Sequence, residues 1–329
     1  MRTVSRRGFL IGAGGVAAAV LSGCGNDSGL AASASGPWEF TDDRGLKITR
    51  DGRPQRIVAY VSSAAALWDL GVRPIGAFGP QKTGDGGKEI QAGNLDLSTV
   101  QSVGNAWDDF NIEKFISLDP DLVVTGLTGP EPTNLWAITP EVGTKIQQVA
   151  PILALSEYKV TLPKVIDRYT QLATALGGTV DTAARDEFQR ASDELRKAAA
   201  ERAGLKVLVV YADKDGIYVA KPEFFADLAY YRELGLDIVS GGGSEDWWEQ
   251  LSWEQVAKYP ADLILTDSRS FSLTQQQMAE FPTWQQLPAV RAGQLGAWSA
   301  EPRFNHQLAT PVIRQLTDVV KRSRTDITV

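Results

Sequence analysis

From residue 56 the chain alternates between two hydrophobic rhythms. Continuous β-branched and aliphatic runs at 56–61, 74–78, 121–125 and 151–155 predict buried strands. Helical spacing falls between them at 64–70, 112–118 and roughly 141–149. Ser62 and Ser63 stand where an N-cap belongs, and Gly71 where a helix stops. Glycines at 79, 84, 86, 87 and 93 predict a mobile loop. Two helices follow, at 162–177, closed by Gly177-Gly178, and at 181–203. The alternation then restarts with strands at 206–211, 217–219, 237–239, 262–266 and 294–298. Helices at 223–234, 253–258, 274–280 and 305–322 separate or follow them. Strands alternating with helices imply βα units and a largely parallel sheet.

One stretch occurs twice. Asn111-Ile112-Glu113 precedes the strand at Asp121, and Ser252-Trp253-Glu254 precedes the strand at Asp262. Both Glu-to-Asp spacings are eight, and the copies lie 141 residues apart. Each copy has a capping residue, a Glu two positions on, one helix, a Pro-containing turn and a β-branched strand. The repeat predicts two similar α/β lobes.

The first residues follow another rule. Ser5-Arg6-Arg7-Gly8-Phe9-Leu10 precedes an Ala- and Gly-rich apolar run of about 13 residues, short for a membrane span. A basic start, an apolar middle and small residues before a cut make a secretory signal. The paired arginines resemble a twin-arginine export signal, and Leu21-Ser22-Gly23-Cys24 resembles a lipobox that lipidates Cys24. Gly12-Ala13-Gly14-Gly15-Val16-Ala17 fits a dinucleotide fingerprint but lacks the βαβ setting that gives it meaning. The predicted organisation is a signal peptide at 1–23 and a lipidated Cys24 with a flexible tether at 24–52. An N-terminal lobe follows at 53–161, a linking helix at 162–178 and a C-terminal lobe at 179–329.

Composition narrows the chemistry. The 329 residues include one Cys and one His, which excludes thiolate clusters and multi-histidine zinc sites. Net charge is −7, and removal of three leader arginines makes it −10, so nucleic acid is not an expected partner. Nine Trp, eight Tyr and eleven Phe are the surplus.

The segments 56–79, 104–126, 150–155, 234–266 and 284–298 together resemble the substrate-binding lipoproteins of ABC importers. The likeness is to the group serving iron–siderophores, haem and cobalamin. "RIVAYVSSAAALWDLGVRPIGAFG", "NIEKFISLDPDLVVTG" and "WEQVAKYPADLILTD" carry most of it. The resemblance implies two Rossmann-like α/β lobes joined by one long helix, with the ligand in the cleft between them. It implies a monomer, held by its lipid on the outer face of the cell membrane, that delivers a ferric siderophore to a permease and its ATPase. It also implies that Glu113 and Glu254, one per lobe, dock on basic permease residues. First-turn glutamates also complement a helix dipole, by about 0.3–1 kcal/mol, whatever else they do.

Ligands of open α/β sheets sit beyond the carboxyl ends of the strands. Reading those ends gives Ser62, Ser63, Thr128, Tyr158 and Lys221 together with Trp107, Trp136, Tyr218, Trp247, Trp248, Arg269, Trp298, Arg303 and Phe304, the last nine being the expected ligand contacts. Trp107, Trp247, Trp298 and Arg303 fall near ligand-contact regions of the group. Trp136 and Trp248 suit a cleft or a lobe surface equally, and Glu301 is an alternative, structural partner for Arg303. Trp68, Trp253 and Trp284 are expected to pack, and His306 to start a helix. Aromatic rings offer a ferric chelate broad contact at low entropic cost, and Arg can hydrogen-bond its oxygens. A cleft rich in aromatics with few cations favours hydroxamate over catecholate complexes. Haem and cobalamin are the alternatives in the same role.

No cofactor is expected, and iron enters only inside its chelator. Gly241-Gly242-Gly243-Ser244-Glu245 lacks the Gly that a serine-hydrolase elbow needs after its Ser. Lys88 is followed by Glu89 where Walker A needs Ser or Thr. An exported cofactor-dependent enzyme or a carboxylate-pair hydrolase is the alternative of a different class.

Overall fold

The computed structural model describes residues 36–328. The predicted signal, the lipobox and Cys24 lie outside the described residues.

The structure opens with a hairpin, β1 (Trp38–Thr41) against β2 (Lys47–Arg50). The tether expected through residue 52 therefore gives way to packed structure from Trp38 onward. Apolar residues alternate along both strands, so Trp38 and Ile48 are buried and join the core. The hairpin turn lies along an edge of the first sheet, where Asp43 N–H donates to Ala154 O at 3.0 Å. Buried Asp42 accepts from Ala154 N–H and pairs with Arg44. An otherwise open strand edge is thereby covered.

The first sheet has the order β5-β4-β3-β6-β7, all parallel. Its strands are β3 (Ile57–Tyr60), β4 (Gly76–Phe78), β5 (Gln101–Ser102), β6 (Leu122–Leu127) and β7 (Ile152–Ser156). Helices α1 (Val61–Asp69), α2 (Ile112–Ser117) and α3 (Pro140–Gln147) connect them. Helix α1 starts directly after β3, so Ser62 and Ser63 sit inside it rather than capping it. Ser63 instead shares a 2.7 Å hydrogen bond with Tyr169.

Two helices then carry the chain to the second sheet, α4 (Leu162–Ala175) and α5 (Thr182–Glu201). Helix α4 packs on α1 and β7 of the first lobe and on α6 (Ala226–Glu233) of the second. Helix α5 is capped by Asp181, whose side chain accepts from Ala184 N–H at 3.0 Å.

The second sheet runs β11-β9-β8-β12-β13, with β10 paired to β8. Its strands are β8 (Lys206–Asp213), β9 (Gly216–Ala220), β10 (Asp237–Ile238), β11 (Trp248–Leu251), β12 (Leu263–Asp267) and β13 (Leu295–Trp298). Strands β8, β10, β12 and β13 are parallel, whereas β9 and β11 are antiparallel additions. Asp213-Lys214-Asp215-Gly216 forms the tight turn between β8 and β9. Three short helices, α7 (Gln275–Met278), α8 (Pro282–Gln285) and α9 (Pro288–Arg291), lead to β13. Helix α10 (His306–Arg322) closes the chain along α5, with Asn305 as its cap. His306 begins that helix, half-buried against the Phe188 ring. The predicted helix at 253–258 is a 3₁₀ turn with a capping box from Ser252 and Gln255.

The core comes in three clusters. One fills the outer face of each sheet, with Trp253 and Trp284 in the second sheet's cluster. The largest takes residues from both sheets, from Ile57 and Leu67 through Leu195 and Val207 to Ile313.

Candidate functional site

The carboxyl ends of the two sheets meet across a cleft, and the residues just beyond the strands meet there. Tyr60, the last residue of β3, donates to Glu301 Oε2 at 2.6 Å. Tyr158, beyond β7, donates to Asp246 Oδ2 at 3.0 Å. Trp107 meets Phe271 edge-on at 4.6 Å between ring centres. Between these contacts lies a cavity of about 290 Å³ lined by Thr128, Trp136, Phe225, Asp246, Trp247, Trp248, Arg269 and Ala300.

The aromatic wall is built in layers. Trp136 stacks on Tyr60 at 5.6 Å, nearly parallel, and its Nε1 donates to Glu157 Oε2 at 2.7 Å. That approach needs Gly126, because a Cβ there would overlap both Glu157 Oε1 and Trp136 Cδ1. Trp247 faces Trp136 at 6.3 Å. Its backbone sits at φ +67, a conformation that costs a bulky residue about 1–3 kcal/mol and tends to mark functional positions. The Lys221 N–H holds that turn by donating to Trp247 O at 2.8 Å. Phe225 meets Trp247, Trp248 and Trp298 edge-on.

The polar floor is a buried network. Arg269, only 8% exposed, donates from Nε to Asp267 Oδ2 at 2.7 Å and from a terminal nitrogen to Glu301 Oε1 at 3.1 Å. Trp107 Nε1 donates to Tyr60 Oη at 3.0 Å while Tyr60 donates onward to Glu301. Burial and the facing Glu301 carboxylate push the Tyr60 hydroxyl well above its usual range. Burial raises Glu301 too, with Arg269 opposing. Glu157 is 6% exposed, and burial lifts it to about 8. Its Oε1 has no hydrogen-bond partner.

Of the nine expected contacts, Trp136, Trp247, Trp248 and Arg269 line the cavity, and Trp107 stands at its edge over Phe271. The other four face elsewhere. Trp298, 4% exposed, is a wall behind the wall, with its Nε1 donating to Asp227 Oδ2 at 2.7 Å. Phe304, 1% exposed, stacks on Tyr169 in the core. Arg303 lies with Leu162, Asp227 and Tyr231 in a separate small pocket. Its supposed neighbour Glu301 pairs with Arg269 instead. Tyr218 packs on Tyr211, outside the cavity lining.

Five of the nine residues read from the strand ends thus gather at one cavity. What the sequence hid was which way each residue turns after the strand. Tyr60, Glu157, Phe225, Asp246 and Glu301 were missed as site residues. Glu157 carried a readable signal, since it follows β7 at once and a charge there must face the cleft or be buried.

The loop at 79–94, expected to be mobile, is partly fastened across the cleft. Gln81, Glu89 and Gln91 are buried. Glu89 accepts from Ser270 of the second lobe, and Gln91 approaches Glu301 at 3.4 Å. Glu113 and Glu254 both lie exposed in the first turns after their caps, on α2 and on the 3₁₀ turn. Among the described residues, no group of three or more His, Cys, Asp or Glu is placed to hold a metal ion. No described helix is long and apolar enough to cross a membrane.

Two α/β lobes with an aromatic cleft at the carboxyl ends of their parallel strands define a solute-binding protein of the two-lobed α/β class. Residues 58–302 match the family described as periplasmic binding protein, and the chain belongs to it. DesE, a ferric-siderophore receptor protein from Streptomyces coelicolor, is 36% identical with a TM-score of 0.84. That similarity covers 88% of this chain and 99% of DesE. The iron(3+)-hydroxamate-binding protein FhuD of Bacillus subtilis is 23% identical over 84% of both chains. The siderophore periplasmic binding protein from the fuscachelin gene cluster of Thermobifida fusca shares the fold, with a TM-score of 0.60 at 21% identity. It covers 82% of this chain and 96% of its own.

Proposed function

We propose that this protein captures a ferric siderophore of hydroxamate type outside the cytoplasm and hands it to an ABC importer. The observation that carries the reading is the aromatic cavity between the strand ends, in a chain 36% identical to a ferric-siderophore receptor. FhuD, named for iron(3+)-hydroxamate, points to the same ligand class. The cavity is at the small end for organic ligands, so a bulky chelate would enter as Trp136, Trp247 and Trp248 part. Broad rings serve an apolar chelate shell, and Arg269, the one cation among the described lining residues, is already engaged by two carboxylates. A triply anionic catecholate complex would meet more carboxylate than free cation here.

In this reading Glu113 and Glu254 are the docking pair for the permease, and Cys24 is the lipid anchor after export through the twin-arginine route. The protein binds and turns nothing over, and its iron is cargo.

Tryptophan fluorescence tests the reading. Titration of the purified protein with a ferrioxamine-type complex should give saturable quenching. Quenching by haem or cobalamin but by none of a panel of ferric hydroxamates would overturn the ligand assignment. Turnover of any ligand would overturn the binding role.

A further inference from the structure

The charges around the cavity do not balance. Asp246 lines it and is exposed, with Tyr158 Oη as the hydrogen-bond donor to its carboxylate. Arg269 is the cation in the lining, and it is shared between Asp267 and Glu301, leaving one carboxylate in excess. Glu157 lies directly behind Trp136 with one oxygen unpartnered. The titratable groups facing it are Glu301, Tyr60 and Tyr169, and none of them is a cation. Two lysines stand nearby but are turned elsewhere. Lys221 Nζ donates to the Gly243 and Glu245 carbonyls, and Lys159 lies over the Tyr158 and Phe224 rings. Asp246 at the rim acts partly through solvent, whereas Glu157, 6% exposed, acts through the protein interior, where a carboxylate attracts a cation more strongly than in bulk solvent.

We propose that the cleft selects for positive charge on its ligand, with Asp246 receiving a pendant ammonium at the rim and Glu157 adding attraction from behind Trp136. This rests on the siderophore reading and deepens it: the preferred cargo is a ferric hydroxamate complex carrying a free amine. Asp246 is the contact and Glu157 acts on specificity through space. Because burial holds Glu157 at about 8, an arriving cation draws off its proton, and the preference grows as pH rises.

The experiment compares three ferric complexes of one linear tris-hydroxamate. One has a free terminal amine, one has the amine acetylated and one has it succinylated, for net charges of about +1, 0 and −1 at neutral pH. Affinities are read by Trp quenching on the full-length protein in mild detergent at pH 6.5 and 8.5. The amine complex is expected to bind about tenfold or more tighter than the succinylated one, with the acetylated complex between. Asp246→Asn, at an exposed position, should shrink that span several-fold, with the largest loss on the amine complex. Glu157→Gln should remove the growth of the span with pH. Equal affinity for all three complexes, or a span that survives both substitutions, overturns the proposal. Failure of all three to quench would instead overturn the siderophore reading beneath it.

Discussion

Tyr60 at the end of the first sheet donates to Glu301 beyond the end of the second, 2.6 Å across the cleft and fully buried. The bond ties the lobes through a carboxylate that also holds Arg269. Short O–H···O⁻ bonds of this kind are among the stronger protein hydrogen bonds. Tyr60→Phe deletes only the hydroxyl, leaving Trp107 Nε1 and Glu301 each short of a partner. Stability should fall by about 1–3 kcal/mol, read from urea unfolding. An unchanged midpoint would mean that the two lobes are not joined there.

Glu157 and Asp227 make stability depend on pH in a stated direction. Glu157 goes from 4.5 to about 8 on folding and Asp227 from 3.8 to about 7, burial being the main cause in both. The folded chain keeps protons that the unfolded chain has shed. Their stabilising share is therefore full below about pH 4 and lost as pH climbs to about 8. Thermal midpoints should decline between pH 5 and 8.5, and Glu157→Gln should flatten that decline. A midpoint that rises over the range in the wild type would contradict the assignment.

Trp298→Phe separates a supporting tryptophan from a ligand contact. The indole N–H is the side-chain donor to Asp227 Oδ2, at a carboxylate 2% exposed. The variant should lose about 1–3 kcal/mol of folding stability. Quenching by a bound ferrioxamine-type complex should keep most of its affinity, since Trp298 does not line the cavity. A large affinity loss at full stability would move Trp298 into the ligand shell.

Glu113→Arg together with Glu254→Arg should abolish siderophore uptake in cells while the purified protein binds as before. Both side chains are exposed and remote from the cavity lining. Normal transport by the double variant would end the docking assignment.

Gly126→Ala probes the close approach of Glu157 and Trp136. With no room for a methyl group, the Trp136 indole must leave its stack on Tyr60. A cost of about 1–3 kcal/mol is expected, with weakened ligand quenching. Wild-type stability and affinity would show that this part of the wall rearranges freely.

The alternating strands and helices were legible because each buried parallel strand contains an unbroken apolar run, as in 122–124 and 263–265. The hairpin before residue 52 was not, because its strands are four residues long and the Trp38 indole N–H finds its acceptor 137 residues away, at Ala175 O. The repeat singles out Glu113 and Glu254 from sequence alone, and both lie exposed in the first turns after their caps. Cleft residues were legible by position but not by direction. Trp247 and Trp298 both follow or end strands, and only the turn at Lys221 and the acceptor at Asp227 decide that one faces the cavity and the other the interior. The loop at 79–94 misled because its glycines predict freedom, whereas the buried Gln81 amide nitrogen lies within hydrogen-bond reach of Ala77 O, Gly79 O, Ser102 Oγ and Gly104 O.

The largest apolar cluster draws on both sheets and on α1, α4, α5 and α10. A chain severed at Gly177-Gly178 would leave each fragment with a broad oily flank and no partner for it. Such halves would aggregate or seek each other, and fragment complementation would restore the whole where neither half survives alone. Heating the intact chain should accordingly melt both lobes in one calorimetric peak, whose van't Hoff and calorimetric enthalpies agree.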